Sequence, residues 1–265
     1  MLLGLPYFDA LLLFGAGLLA AAANAIAGGG TFLTFPAFLA TGVPAVIANA
    51  SNAVAIWPGR LLVIAAYRRE LARQTKRALR TGLICVAGGI VGALVLLQSG
   101  DKAFLRTVPW LLLIATLLLL FDRAIQRRFG VGKPGSEPSW AWRAALTAAL
   151  FLCAAYGGFF GGGLGVILMP LLSLSGVRDI QELNALKNLL VALIAGVAVV
   201  IFIASGAVSW PGTLVMMAGA LIGGYGGGAA ARHIPAPALR TVIIVCGFAL
   251  SMYYFWDIYL RPTKG

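Results

Sequence analysis

Residues 157–174 read GGFFGGGLGVILMPLLSL, and residues 24–40 read NAIAGGGTFLTFPAFLA; a triple glycine followed by a short apolar run with one proline occurs once in each half of the chain. Three consecutive glycines inside a helix sacrifice propensity three times over, at roughly 1 kcal/mol each, so a break is expected at each triplet. The apolar pieces that follow, Phe32 to Ala40 and Val166 to Leu174, are too short to cross a bilayer. They read as half-helices.

The likeness extends outward in order. Gly28-Gly29-Gly30, Pro36, Gly42 and Asn49-Ala50-Ser51-Asn52 in the first half correspond to Gly161-Gly162-Gly163, Pro170, Gly176 and Asn184-Ala185-Leu186-Lys187 in the second. Farther on, Gly88-Gly89 with Gly92 is echoed by Gly223-Gly224 with Gly227. With 34 glycines in the chain, one match would mean little. An ordered series marks an internal repeat.

Composition sets the solvent. Hydrophobic residues make up 61% of the chain, charged ones only 11%, and the mean hydropathy is +0.96. A soluble domain carries roughly 25% charged residues, so too little charge is present to cover a water-facing surface. Apolar stretches bounded by charge or turn residues run from Leu11 to Ala27, Val46 to Ala66, Thr81 to Leu97, Thr107 to Phe121, Ala144 to Tyr156, Leu189 to Ala204, Trp210 to Ala231 and Leu239 to Trp256. At about 20 residues per crossing, they give about eight spans. The first lacks a basic leader and follows Asp9, so it reads as a retained span.

The net charge of +12 sits between spans, which argues against a nucleic-acid partner. Arg68, Arg69, Arg73, Lys76, Arg77 and Arg80 crowd one connection; Arg123, Arg127, Arg128, Lys133 and Arg143 crowd another. Both should be cytoplasmic, with the nearly neutral Gly100 connection on the other side. The expected organisation is a first transmembrane repeat at residues 1–122, a cytoplasmic linker at 123–139 and a second repeat at 140–265. If each glycine-broken piece enters and returns as a hairpin, each half has an odd number of crossings and the repeat is inverted. Loop charge and the uncharged Gly206 to Trp210 connection favour that arrangement over a parallel one. The fold class is therefore an all-α integral membrane protein with glycine-broken half-helices and two homologous halves in an inverted repeat.

Cys85, Cys153 and Cys246 lie in apolar stretches without paired spacing and read as small core residues. Gly88-Gly89 and Gly223-Gly224 read as close helix packing through small residues. The triplets differ, because non-helical backbone at membrane depth is tolerated only where protein buries it or it lines a cavity. Matching breaks in two repeats point to a transporter's substrate site, and the N–H groups opening each half-helix offer a positive end to an anion.

Polar side chains in the apolar segments complete the candidate site. Lys187, one turn beyond Asn184 and beside Asn188, reads either as a contact for an anion or as an ion-paired or snorkelling lysine with Glu182 or Asp179 nearby. Asn24, Asn49, Ser51 and Asn52 form the first-half counterpart, as substrate contacts or as caps and helix-to-helix hydrogen bonds. Asn49 and Asn52, three apart, share a helix face. Arg60, after Trp57-Pro58-Gly59, either snorkels or lines the path. The candidate binding residues are thus Asn24, Gly28, Gly29, Gly30, Asn49, Asn52, Gly161, Gly162, Gly163, Asn184, Lys187 and Asn188.

On Asn24 through Gly30, Pro36, Gly42 and Asn49 to Asn52, and on Gly157 through Val166, Pro170 and Asn184 to Lys187, the chain resembles the sulfite exporter TauE/SafE family of membrane transporters over nearly its whole length. The resemblance implies transport, mostly export, of small sulfur-containing or organic anions such as sulfite, sulfonates or sulfoacetate across the bacterial inner membrane. It supplies no residue-level site. A membrane enzyme acting on a lipid-like substrate is the competing class, and an anion channel a third. The enzyme needs acids, bases or metal ligands gathered in space. This chain has one His, His233, in a connection, and eight carboxylates, with Asp9, Glu70, Asp101, Asp122, Glu137 and Asp257 at span ends or in loops. Gly163 is followed by Leu164-Gly165, so the triplet is no Walker loop. Transport is expected, with no cofactor and no metal. The expected partners are a small anion, the lipid bilayer, a coupling proton or cation and a second copy of the chain in a homodimer. The coupling ion stays open, with Glu182 the nearest carboxylate.

Overall fold

The computed structural model describes residues 1, 3–26, 30–128, 139–175, 177, 179–230 and 236–261. Its regular elements are helices: α1 (Tyr7–Ile26), α2 (Thr31–Ala40), α3 (Ala45–Ala66), α4 (Arg68–Ala72), α5 (Thr75–Arg128), α6 (Trp140–Phe159), α7 (Leu164–Leu174), α8 (Ile180–Ala204), α9 (Trp210–Ala230) and α10 (Ala236–Phe255), which runs into a π-helical turn at Trp256–Leu260. Among the described residues, four helices are long and apolar enough to cross a membrane: Thr75–Phe121, Trp140–Phe159, Ile180–Ala204 and Arg240–Leu260. The chain is a multi-pass, all-helical membrane protein.

The expected half-helices are present as α2 and α7, 10 and 11 residues long. Each follows its glycine triplet. Two spans expected around Gly100 lie in one element, α5, which leaves helical geometry only at Gly100 (φ 71, ψ 157). The connection there is a single-residue kink rather than a loop. The basic connection after α3 contains the five-residue α4, and its six cationic side chains are exposed.

The helix pairs that hold the molecule together cross between halves. Seen from Gly88 and Gly92 of α5, the neighbours are the backbones of Phe151 and Ala155 on α6; a methyl group on either glycine would collide with them. Gly219 and Gly223 of α9 meet the backbones of Phe14 and Leu18 on α1 in the same way. The small-residue reading of these clusters holds at Gly223, whereas Gly224 faces open space. With lipid as solvent, helices gain little from hiding leucine, and close backbone approach through glycine takes over. Leu79, Leu83, Val95, Leu152, Val200 and Ile222 accordingly stay exposed.

Two buried clusters form the interior. One joins Phe32, Phe35 and Phe38 of α2 to Phe104, Leu112, Phe160 and Phe202; the other joins Cys85, Cys153 and Ala154 to Leu164, Leu168 and Leu172 of α7 and Leu186 and Leu190 of α8. Cys85 and Cys153 are buried free thiols, as small core residues should be. Helix α2 supplies core to the first cluster, and α7 to the second and, through Val166, to the first.

Candidate functional site

The second-half break is built by left-handed glycines. Helix α6 ends at Phe159, and Gly161 (φ 78) and Gly163 (φ 70) adopt a conformation that a side chain would strain by roughly 1–2 kcal/mol per residue. Between them, Gly162 presents its carbonyl to Tyr156, whose hydroxyl donates to it at 2.6 Å. A methyl group on Gly162 would stand 2.7 Å from the Phe160 ring. The break therefore turns tightly beneath aromatic side chains. Tyr156 was not among the residues expected from sequence; its only signal there is its position one turn before the glycines.

Helix α7 opens at Leu164 with Gly163 as its cap residue, and no side chain caps it. Its neighbour is Lys187 of α8, because a methyl group on Gly165 would lie 3.7 Å from Lys187 Cδ. The Lys187 ammonium donates to Asn184 Oδ1 at 3.2 Å. Asp179 is engaged at the start of α8, accepting from the N–H groups of Gln181 and Glu182. The structure thus brings together Gly161, Gly162, Gly163, Asn184 and Lys187 around the opening of α7. Asn188 lies next to Lys187 along α8 and is half-buried.

The first-half counterpart is only partly described. Gly28 and Gly29 lie outside the described residues, as do His233 and Gly176, and Asn24 falls in the last turn of α1. Gly30 precedes α2 and accepts from both the N–H and the hydroxyl of Thr34. On α3, Asn49 and Asn52 are 2% and 1% exposed, so these amides are as buried as any leucine in the core. Asn49 Nδ2 donates to the carbonyl of Phe159, 2.9 Å away at the end of α6. A first-half asparagine thereby reaches the second-half break. The Oδ1 atoms of Asn49 and Asn52 have no hydrogen-bond partner.

Aromatic rings close the same region. Phe35 of α2 meets Phe160 edge-on at 5.6 Å and Phe104 at 6.0 Å, and Phe104 meets Phe159 at 5.5 Å. Through them, α2 packs against the side chain of Phe160, between the end of α6 and the turn that opens α7. These phenylalanines look like ordinary core residues in sequence, and only the fold gathers them.

Helices α3 and α8, which carry the matching quartets, are tied directly. Trp57 Nε1 donates to the Ala192 carbonyl at 3.1 Å, and Arg60 Nη1 to that of Val191 at 3.4 Å. Ser51 Oγ accepts from the Ser209 N–H, beyond the end of α8, at 2.8 Å. Partner numbers fall from 209 to 191 while α3 numbers rise from 51 to 60. The two helices run in opposite directions. Arg60, open in sequence between snorkelling and lining a path, is spent on the α8 backbone. Among the described residues, no three His, Cys, Asp or Glu side chains gather as a metal site would require.

Comparison with known proteins gives the same outline. The profile of the family described as Sulfite exporter TauE/SafE matches residues 13–254. A protein of Haemophilus influenzae named "Probable membrane transporter protein" is 27% identical over 257 residues, covering 93% of this chain and 94% of its own. "Probable membrane transporter protein ORF9" of Sinorhizobium sp is 27% identical over 251 residues, with 92% of each chain covered. "Probable membrane transporter protein YfcA" of Escherichia coli K12 is 26% identical over 262 residues, covering 97% of this chain and 91% of its own. No solved structure matches significantly.

Proposed function

The chain belongs to the sulfite exporter TauE/SafE family of membrane transporters, and from that premise we propose that it is a secondary transporter exporting a small sulfur-containing anion, such as sulfite, a sulfonate or sulfoacetate, across the bacterial inner membrane. One observation carries the reading. The stem of Lys187 lies against Gly165 in the first turn of α7 and its ammonium is held by Asn184, so a cationic side chain stands beside the positive end of a helix. A lysine at membrane depth costs roughly 2.5–3.5 kcal/mol on the insertion scale, and an arriving anion offsets part of that. Asn184 and Asn188 add amide donors beside it, and Gly162 and Gly163 add backbone N–H groups, that of Gly161 being bonded to the Tyr156 carbonyl.

The alternating-access path in this reading runs between two halves inverted relative to each other. The opposed directions of α3 and α8, equivalent in the repeat, support inversion; a parallel repeat would carry them the same way. Introduced cysteines test it: one near Arg73 should label only from the cytoplasm, and ones near Gly100 and Gly206 only from the periplasm. Labelling of Gly206 from the same side as Arg73 would return the repeat to the parallel form.

Transport itself is tested by counterflow in proteoliposomes with sulfite, sulfate, sulfoacetate, taurine and lactate. Saturable exchange competed by sulfite or a sulfonate is the expected result. Flux that never saturates would mark a channel, and competition by none of the panel would end the sulfur-anion reading.

A further inference from the structure

We propose that Asn49 and Asn52 of α3 form a binding site for a monovalent alkali cation, set apart from Lys187 and serving as the coupling-ion site of the carrier. The inference adds to the transport reading above but does not depend on which anion is carried.

The starting point is two buried acceptors without donors. Asn49 and Asn52 are 2% and 1% exposed, and the Oδ1 of each lacks a partner. For Asn49 the identity of the bare atom is forced, because its other end faces the Phe159 carbonyl at 2.9 Å and only the NH2 group can donate there. Buried polar atoms are nearly always satisfied, so each one left bare asks for a partner. Asn52, three residues on, shares that face of α3, and with no hydrogen bond fixing its amide its oxygen can turn to the same electron-poor partner.

The second half shows what such a partner looks like. Asn184 is the repeat equivalent of Asn49, and its Oδ1 accepts from the Lys187 ammonium at 3.2 Å. Lys187 is the repeat equivalent of Asn52. In one half the asparagine oxygen therefore meets a cation tethered to the chain. In the other, the tether is replaced by a second amide oxygen, and the cation must come from solution. Both side chains are neutral, which favours a singly charged ion over calcium or magnesium, whose sites rely on carboxylates. The Phe159 carbonyl that orients Asn49 borders the broken backbone, where further carbonyl oxygens can complete the shell, as unwound helices do for sodium in other carriers.

The test needs no transported substrate. Purified protein in detergent is melted across a series of sodium chloride concentrations, with ionic strength held by N-methyl-D-glucamine chloride, and again with potassium chloride. The wild type should show a saturable rise in Tm with sodium or potassium. Asn52→Ala should lose it, whereas Lys187→Gln should keep it, so failure of the anion reading and failure of this one are distinguishable. Asn52→Lys should be insensitive to either salt, having acquired its own tethered ammonium. Should Asn52→Ala not fold, Asn52→Asp retains the oxygen and adds a charge, and should lower the half-saturating sodium concentration by about tenfold. No response in the wild type would leave an ordered water as the occupant and overturn the proposal. An equal response in wild type and Asn52→Ala, or an unchanged midpoint in Asn52→Asp, would overturn it as well.

Discussion

The two halves carry an asparagine at the same place and surround it with different chemistry. Asn184 is half-buried and holds a lysine ammonium from its own helix; Asn49 is fully buried and reaches across to the carbonyl that ends α6. The helix seams, by contrast, are nearly interchangeable: Gly88 meets the Phe151 carbonyl in one and Gly223 that of Leu18 in the other. Packing is the same where geometry tolerates little change, and side chains differ around the two asparagines. The seams are alike in the two halves, and the quartets are not.

The shared frame can be broken first, and with the largest effect. Gly223→Leu forces a branched side chain into the α1 backbone, and overpacking of this kind typically costs about 1–3 kcal/mol or more. Most of the protein should be lost from the folded, monodisperse fraction on size-exclusion chromatography. Gly224→Leu faces open space and should leave that fraction near wild type. Equal behaviour of the two would remove the seam as the reason for the repeat.

The next effect concerns the break itself. Gly162→Leu should abolish transport while leaving folded protein in the membrane, because its side chain meets the Phe160 ring 2.7 Å away, at a turn rather than at a seam. Retained transport in proteoliposomes would detach the turn from the substrate path.

The asymmetry of the quartets is sharpened by a pair of variants. Lys187→Gln should weaken anion binding at least tenfold, about 1.4 kcal/mol, with Tm little changed. Asn52→Ala should weaken anion binding less. The opposite signature for Lys187→Gln, a lower Tm with unaltered affinity in the folded fraction, would make the lysine structural. Both quantities are measurable on one preparation.

The smallest effect is at the tie between α3 and the segment after α8. Ser51→Ala removes the acceptor for the Ser209 N–H, which should cost about 1 kcal/mol and lower Tm by a few degrees, with transport retained. A loss of transport without a loss of stability would place Ser51 in the path instead.

Much of the frame was legible because its signals are local. Gly161 to Gly163 break a helix wherever they stand, and the half-helices α2 and α7 begin within two residues of where the apolar runs suggested. The kink at Gly100 was harder, since one glycine with helix on both sides resembles a loop in composition. The site was legible only by residue type. Nothing near Asn49 in sequence mentions Phe159, and nothing near Phe35 mentions Phe160, because those partners are set by how the halves interlock. Sequence left Asn49 and Asn52 open between substrate contacts and caps or helix-to-helix hydrogen bonds; Asn49 makes such a bond to the Phe159 carbonyl, and the Oδ1 of each lacks a partner.

The pairing of α1 with α9 and of α6 with α5 also bears on how the chain is made. As the polypeptide leaves the ribosome, α1 emerges well before α9, the helix that fits its notch. Until then the groove around Gly17 is open to lipid tails or to the same groove on another nascent copy, since a methyl group at Gly17 would collide with the α9 backbone only in the finished fold. Contacts so distant in the chain form slowly. Truncation before Trp210 should therefore leave α1 without the helix that packs on Gly17, and lower the amount of folded protein recovered from the membrane.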